Sequence, residues 1–463
     1  MQPLGWNPDD LRTRFTEALS DMYRAEVPLY ADLVQIVRDV DSSVLDAQGK
    51  HPEELPFRNQ LERHGAIRLG TKDEMRMIKR LFAILGMHPV GYYDLNIVGF
   101  PIYGTAFRPT DADALSKNPF RVFTTVLRRD MISPNIRETV DGILSQRNLF
   151  TPRLSEIIDH AEKHNTLSAQ EVDDFITEAL KIFKWHSQST VSIDSYLKLK
   201  AEHTVVADIV CFPSAHINHL TPRTLDIDYV QQEMIRRGLP TKEVIEGPPT
   251  RQCPILLRQT SFKALEERVV FATGDGQAAC GTHTARFGEV EQRGAAVTRK
   301  GRELYDQLHS FAVRTAANVS GHKFSNILHN AFRKFPDTWE ELRVRGLVYF
   351  YYSVTQAGRK VMGEGMLTSR VSLTRLLQLG HIECEPITYE DFLPFSAAGI
   401  FKSNVVLDHS AALPIQKTAS SAAELEGILG CTVLDEIDFY QHLEDDSIEL
   451  CRKELALEEI IRD

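Results

Sequence analysis

No run of about 18 uninterrupted apolar residues occurs in this sequence, which excludes a helix crossing a membrane. A basic surplus is also missing: 53 lysines and arginines stand against 64 aspartates and glutamates, a net charge of −11. That balance argues against sequence-independent binding to nucleic-acid phosphates, and clusters such as Arg343-Val344-Arg345 read as solvated surface. The six cysteines, Cys211, Cys253, Cys280, Cys384, Cys431 and Cys451, include no Cys-x-x-Cys pair, so they read as reduced thiols. The opening Met1-Gln2-Pro3-Leu4-Gly5-Trp6 lacks a basic region followed by an apolar stretch. No signal peptide is therefore expected, and a cytoplasmic location is the default expectation. Low-complexity segments are absent.

What is present is an ordinary globular composition, 43% hydrophobic and 25% charged. At 463 residues the chain exceeds the usual size of one core, so two packed units with helical additions are expected. The predicted class is α+β. Residues 1–60 read as an N-terminal helical segment, started by Asn7-Pro8-Asp9-Asp10 and continued by the apolar spacing of Tyr30 to Val37. Residues 61–129 read as a strand-helix-three-strand module. Its first strand lies near His64 to Arg68, and Thr71 and Glu74 have capping-box spacing for the helix that follows. That helix should bury Met75, Ile78, Phe82 and Leu85 and stop at Gly86; strands are expected near Pro89 to Leu95, Gly99 to Phe107 and Phe120 to Leu127.

Residues 130–205 read as a helical insertion, and 206–298 repeat the strand-helix-three-strand pattern. Here the first strand is expected at His216 to Leu220, the helix at Ile227 to Arg237, and the strands at Ile255 to Phe262, Val269 to Thr273 and Thr282 to Glu291. Residues 299–463 read as a C-terminal α/β extension: a helix through Leu304, Leu308 and Phe311, a buried strand from Gly346 to Val354, and an acidic helical tail from Ser420.

Phe287-Gly288-Glu289-Val290-Glu291-Gln292-Arg293 ends a strand-like run with carboxylates where a metal could sit. His64 and a histidine near 219 each lie on the first strand of a module. Two histidines and one carboxylate form the facial triad that leaves three positions open on non-haem Fe(II), although zinc hydrolases use the same set and Mn(II) or Ni(II) also suits it. His216 competes with His219, and residues three apart on a strand face opposite ways, so only one can reach the metal. Glu289 and Glu291 share a face, and either could ligate. His283 has the same parity, with an exposed or supporting role expected.

Longer pieces resemble one family, the 2-oxoadipate dioxygenase/decarboxylases, also called 2-hydroxyglutarate synthases, of the vicinal oxygen chelate type. The resembling stretches are Arg63-His64-Gly65-Ala66-Ile67-Arg68, Asn218-His219-Leu220-Thr221-Pro222, Gly288-Glu289-Val290-Glu291-Gln292-Arg293-Gly294 and Leu393-Pro394-Phe395-Ser396-Ala397-Ala398-Gly399-Ile400-Phe401. The resemblance implies paired modules forming a curved sheet around a metal. It favours His219 over His216 and Glu289 over Glu291. It implies Fe(II) bound by His64, His219 and Glu289, Arg68 as the partner of a substrate carboxylate, and Phe395 and Ser396 as pocket wall. The implied reaction turns 2-oxoadipate and O2 into 2-hydroxyglutarate and CO2, a step of lysine breakdown. The expected partners are thus a small 2-oxo diacid and O2, with no nucleic acid and no membrane. The rival readings are a zinc or manganese hydrolase or isomerase with Glu291 as general base, and a metal-binding protein without turnover.

Overall fold

A computed structural model describes residues 6–272, 278–316, 322–363, 370–393 and 419–462. The expected pocket residues Phe395 and Ser396 lie outside them. The described chain divides into two compact units, each taken by itself. The first comprises residues up to Ile245, Gln259–Gln292 and Ala419–Val433; the second comprises Glu246–Arg258, Arg293–Leu393 and the chain from Leu434.

Local chemistry sets the first module. Strand β1, Glu62–Leu69, leads into the helix Lys72–Ile84, where Thr71 accepts from the Glu74 amide and Glu74 reaches back to the cap. Glu74 also binds Arg147 through two hydrogen bonds of 2.8 and 2.7 Å, which ties the cap to the residues after the module. Met75, Ile78, Phe82 and Leu85 are fully buried as expected. Each such side chain contributes roughly 1.5–3 kcal/mol. Gly86 adopts φ +66, a left-handed backbone that ends the helix. Strands β2, His88–Asp94, β3, Ile102–Arg108, and β4, Arg121–Leu127, follow close to the predicted places.

The 130–205 stretch departs from an all-helical reading. Helices Pro134–Leu144, Pro152–His164 and Ala169–Phe183 are followed by strand β5, Gln188–Ser192, before helices Ile193–Glu202 and Thr204–Val210. The second module starts later than expected, with β6 at His219–Pro222. Its helix, Ile227–Arg236, stops as read, before Gly238 at φ +80. Strand β7, Leu257–Ser261, is in place. The next two runs differ. The run expected at Val269 to Thr273 falls in β8, Glu266–Ala272, its last residue lying outside the described ones, and the Thr282–Glu291 run is two strands, β9, Ala278–Thr284, and β10, Phe287–Arg293. The break falls at Arg286, buried with its guanidinium between Glu26 and Glu267, so the chain turns to satisfy that charge instead of continuing one ladder.

Seven strands form one sheet in the order β2-β3-β4-β1-β6-β10-β7, curled as a half-barrel, while β5, β8 and β9 form a separate three-stranded sheet. The two modules meet where β1 and β6 run antiparallel, with Gly65 opposite Leu220 and His64 opposite Thr221. A β-carbon on Gly65 would lie 2.8 Å from the His219 carbonyl oxygen and 2.4 Å from the Ile217 side chain, so only glycine allows this approach. Each first strand has a parallel partner: His64 lies opposite Arg121 in β4, and His219 opposite Phe287 in β10. This is the α+β sheet of paired modules that the sequence suggested, with helical additions.

The helices Pro8–Glu26, Pro28–Ala47, Lys72–Ile84, Pro152–His164 and Ala169–Phe183 pack their apolar faces with sheet residues into one core. The second unit has its own core, and its strands β11, Phe350–Val354, β12, Arg370–Ser372, β13, Ile382–Pro386, and β14, Glu459–Ile461, form two short sheets. Its helix Arg299–Thr315 buries Leu308 and leaves Phe311 exposed. No helix among the described residues is long and apolar enough to cross a membrane.

Candidate metal centre

Period-two alternation puts His64, Ala66 and Arg68 on one face of β1, and Glu289 and Glu291 on one face of β10. The sheet order then brings His64, His219 and Glu289 together, with one ligand atom of each within 4.8 Å of the other two. All three are buried, at 0, 3 and 1% exposure, so any ion here would be shielded from bulk water.

His64 bridges two carboxylates. Its Nε2 lies 2.8 Å from Glu289 Oε1, and its Nδ1 lies 2.9 Å from Glu291 Oε2. The fully buried Arg121 adds a 3.4 Å contact to the other Glu291 oxygen. Glu291 therefore sits behind the imidazole, where it fixes the ring and makes the far nitrogen a better donor. A carboxylate engaged in this way is poorly placed to act as a general base.

Glu289 Oε1 is a point of convergence. Gln259 Nε2 donates to it at 2.7 Å and the Thr221 hydroxyl at 3.1 Å, besides His64. Burial alone would push the Glu289 carboxyl up, yet the hydrogen bond from His64 and the nearby histidines and Lys242 hold it below the usual carboxylate range. Burial drives His219 the other way, down to about 3, only partly opposed by Glu289. A neutral imidazole beside a carboxylate anion is the protonation state that a cation requires.

One observation tests whether these residues suit a metal. Among the described residues neither ring nitrogen of His219 has a hydrogen-bond partner, although the ring is buried and stacked on Phe287 at 4.8 Å between centroids. The Gln259 amide oxygen is likewise buried without a hydrogen-bond partner among the described residues. Orphaned polar atoms of this kind are costly unless something else binds them. The donor set fits a divalent cation.

The register also explains why the sheet offers three candidate ligands and not four. With His64 matched to His219, the residue two beyond Arg121 corresponds to the residue two beyond Phe287. Glu289 in one module is thereby matched by the buried Phe123 in the other.

His216 lies elsewhere. Its Nε2 is 3.1 Å from Asp208 Oδ1, and His283 reaches the same oxygen at 2.9 Å. His283 is 4% exposed, so of the two roles expected for it the exposed one does not hold. Arg68 is paired with Asp208 through the other carboxylate oxygen and acts electrostatically on His219. Sequence reasoning did not single out Thr221, Gln259 or Asp208. A signal for Gln259 existed, because β7 carries Arg258, Gln259, Thr260 and Ser261 in a fully buried strand, where apolar residues are the rule.

The profile of the 2-oxoadipate dioxygenase/decarboxylase family matches residues 15–404. This chain belongs to that family. A 2-oxoadipate dioxygenase/decarboxylase of Pseudomonas putida is 45% identical over 463 residues, covering 97% of this chain and 98% of the relative. Another, from Escherichia coli, is 46% identical over 452 residues, covering 96% and 98%. Among solved structures, the hydroxyglutarate synthase of Pseudomonas putida in complex with 2-oxoadipate matches with a TM-score of 0.87 and 42% identity, covering 99% of this chain and all of that one. As a family member the chain is an enzyme of the dioxygenase/decarboxylase class with a candidate metal triad.

Proposed function

We propose that this enzyme converts 2-oxoadipate and O2 to 2-hydroxyglutarate and CO2, using Fe(II) held by His64, His219 and Glu289. Near-full-length similarity to relatives of that name supports the reaction. The observation that carries the site is the buried triad in which, among the described residues, both His219 nitrogens are left without a hydrogen-bond partner and Nε2 lies 3.9 Å from Glu289 Oε1. When bound, Fe(II) would supply three open positions for chelating a 2-oxo acid and admitting O2, with the electrons for oxygen coming from the substrate itself.

The chain's own residues set the conditions. With an ion bound, Glu291 would hold the proton of His64 on Nδ1, and Nε2, which faces Glu289 when no ion is there, would give its lone pair to the ion. Gln259 and Thr221 fix Glu289 from the side. Burial of all three ligands excludes water, which strengthens every electrostatic contact within. Arg68, on the same face of β1 as His64, would bind the substrate carboxylate that the metal does not hold, since a guanidinium matches a carboxylate with two parallel hydrogen bonds. Phe395 and Ser396 are proposed to line the pocket. A cytoplasmic setting suits the six unpaired cysteines.

Metal-free protein reloaded anaerobically with Fe(II), Zn(II) or Mn(II) tests this reading in an oxygen electrode. Uptake of O2 on addition of 2-oxoadipate is expected with Fe(II) alone. Turnover with Zn(II) and no oxygen uptake would establish the hydrolase or isomerase reading instead.

A further inference from the structure

The metal site leaves unused a second buried cluster built around Asp208. This residue lies on the helix Thr204–Val210 and is 6% exposed. One carboxylate oxygen receives Arg68, and the other receives Nε2 of His216 at 3.1 Å and Nε2 of His283 at 2.9 Å. Arg68, His216 and His283 are 9, 3 and 4% exposed. The Tyr196 hydroxyl lies 3.0 Å from the remaining His283 nitrogen, so that ring is held at both ends. Trp185 stacks on His283 with an interplanar angle of 13° and meets His216 edge-on. The carboxylate thus has little freedom to move.

Arginine has a long side chain with about 2 kcal/mol of rotamer entropy, and its value for recognition depends on being held in place before the ligand arrives. In this pocket the holding is done from outside β1, by a carboxylate that cannot itself swing away. We infer that Asp208 is a positioning residue for substrate recognition: locked by His216 and His283, it fixes the Arg68 guanidinium and so sets the affinity for the second carboxylate of the 2-oxo diacid. This rests on the reading of Arg68 given above.

The effect is confined to the far end of the substrate. 2-Oxohexanoate, which has the chelating 2-oxo acid group and lacks the second carboxylate, should therefore be indifferent to it.

The test uses the Fe(II)-loaded enzyme, with KM and kcat for 2-oxoadipate and 2-oxohexanoate and the anaerobic Kd for 2-oxoadipate. Asp208→Ala is expected to raise KM and Kd for 2-oxoadipate about tenfold, the scale of a misplaced charge-assisted hydrogen bond, with kcat and iron content nearly unchanged. In an Arg68→Ala background the same substitution should add nothing. Asp208→Glu should recover part of the loss, and Asp208→Asn, which keeps the shape, decides the matter if the alanine variant does not fold.

Removing Asp208 also removes the charge that offsets Arg68, so a KM that stays level or falls would overturn the positioning role. An equal rise with 2-oxohexanoate would overturn it as well, since the effect would then not run through the second carboxylate. If Arg68→Ala leaves KM for 2-oxoadipate unchanged, the reading of Arg68 fails and this inference fails with it. If Arg68→Ala raises KM and neither Asp208→Ala nor Asp208→Asn does, only the inference fails.

Discussion

At His219 the balance of forces is unusual for a protein interior: a buried imidazole whose two nitrogens have no hydrogen-bond partner among the described residues, beside a carboxylate that His64, Thr221 and Gln259 all approach. A ligand role for His219 accounts for both. His219→Ala is expected to abolish stoichiometric iron binding while the far-ultraviolet dichroism stays unchanged, whereas His216→Ala should retain iron, as His216 is engaged by Asp208. Metal analysis after anaerobic loading reads the difference. Glu291 touches no ion in this account, yet it orients His64. Glu291→Gln should weaken Fe(II) binding by about 10–100-fold, as found generally for carboxylates behind metal-bound histidines, and an anaerobic titration would measure it. The residues of the candidate triad were legible in the sequence because each lies in a short pattern carried by one strand. Asp208 was not, because its link to Arg68 spans 140 positions and follows no local period.

Among the elements, the N-terminal helix Pro8–Glu26 supports the strands that carry the ligands. The Tyr23 hydroxyl lies 2.9 Å from the Asn218 carbonyl oxygen and 2.8 Å from that of Phe287, at the starts of β6 and β10. Tyr23→Phe leaves buried carbonyls without that donor and should cost about 1–3 kcal/mol, seen as a lower thermal midpoint.

The turn after β6 has a different support, Asp41 on the helix Pro28–Ala47, which accepts from the Thr224 hydroxyl and the Leu225 amide. Burial pushes its carboxyl up to about 6. The folded protein then binds more protons than the unfolded chain between about pH 4 and about pH 6, so this residue's contribution to stability falls as pH rises through that window. Asp41→Asn does not titrate. The stability of the wild type relative to this variant should fall by about 2 kcal/mol, to order of magnitude, between about pH 4 and about pH 7. A pH-independent difference in thermal midpoint would contradict the assignment.

The first module was readable because its cap, apolar period and terminal glycine all agree. The second was readable only to β7. Nothing local in Thr282 to Glu291 announces a break, which is imposed by the distant partners Glu26 and Glu267 of Arg286.

For the whole molecule, the paired modules give a sheet that brings the three candidate ligands together, with Phe123 at the fourth equivalent position. An ion bound only to this folded arrangement stabilises it by mass action. Chelation of the iron should therefore lower the thermal midpoint of the wild type and leave that of His219→Ala unmoved. The central claim is that oxygen from O2 enters the shortened acid as the substrate loses CO2. Turnover of 2-oxoadipate under heavy-isotope O2, with mass spectrometry of the product, tests it most directly. The account predicts 2-hydroxyglutarate with one heavy oxygen in its newly formed carboxylate and the other in its new hydroxyl, and one CO2 released per O2 consumed; an unlabelled product, or CO2 release without oxygen uptake, would contradict it.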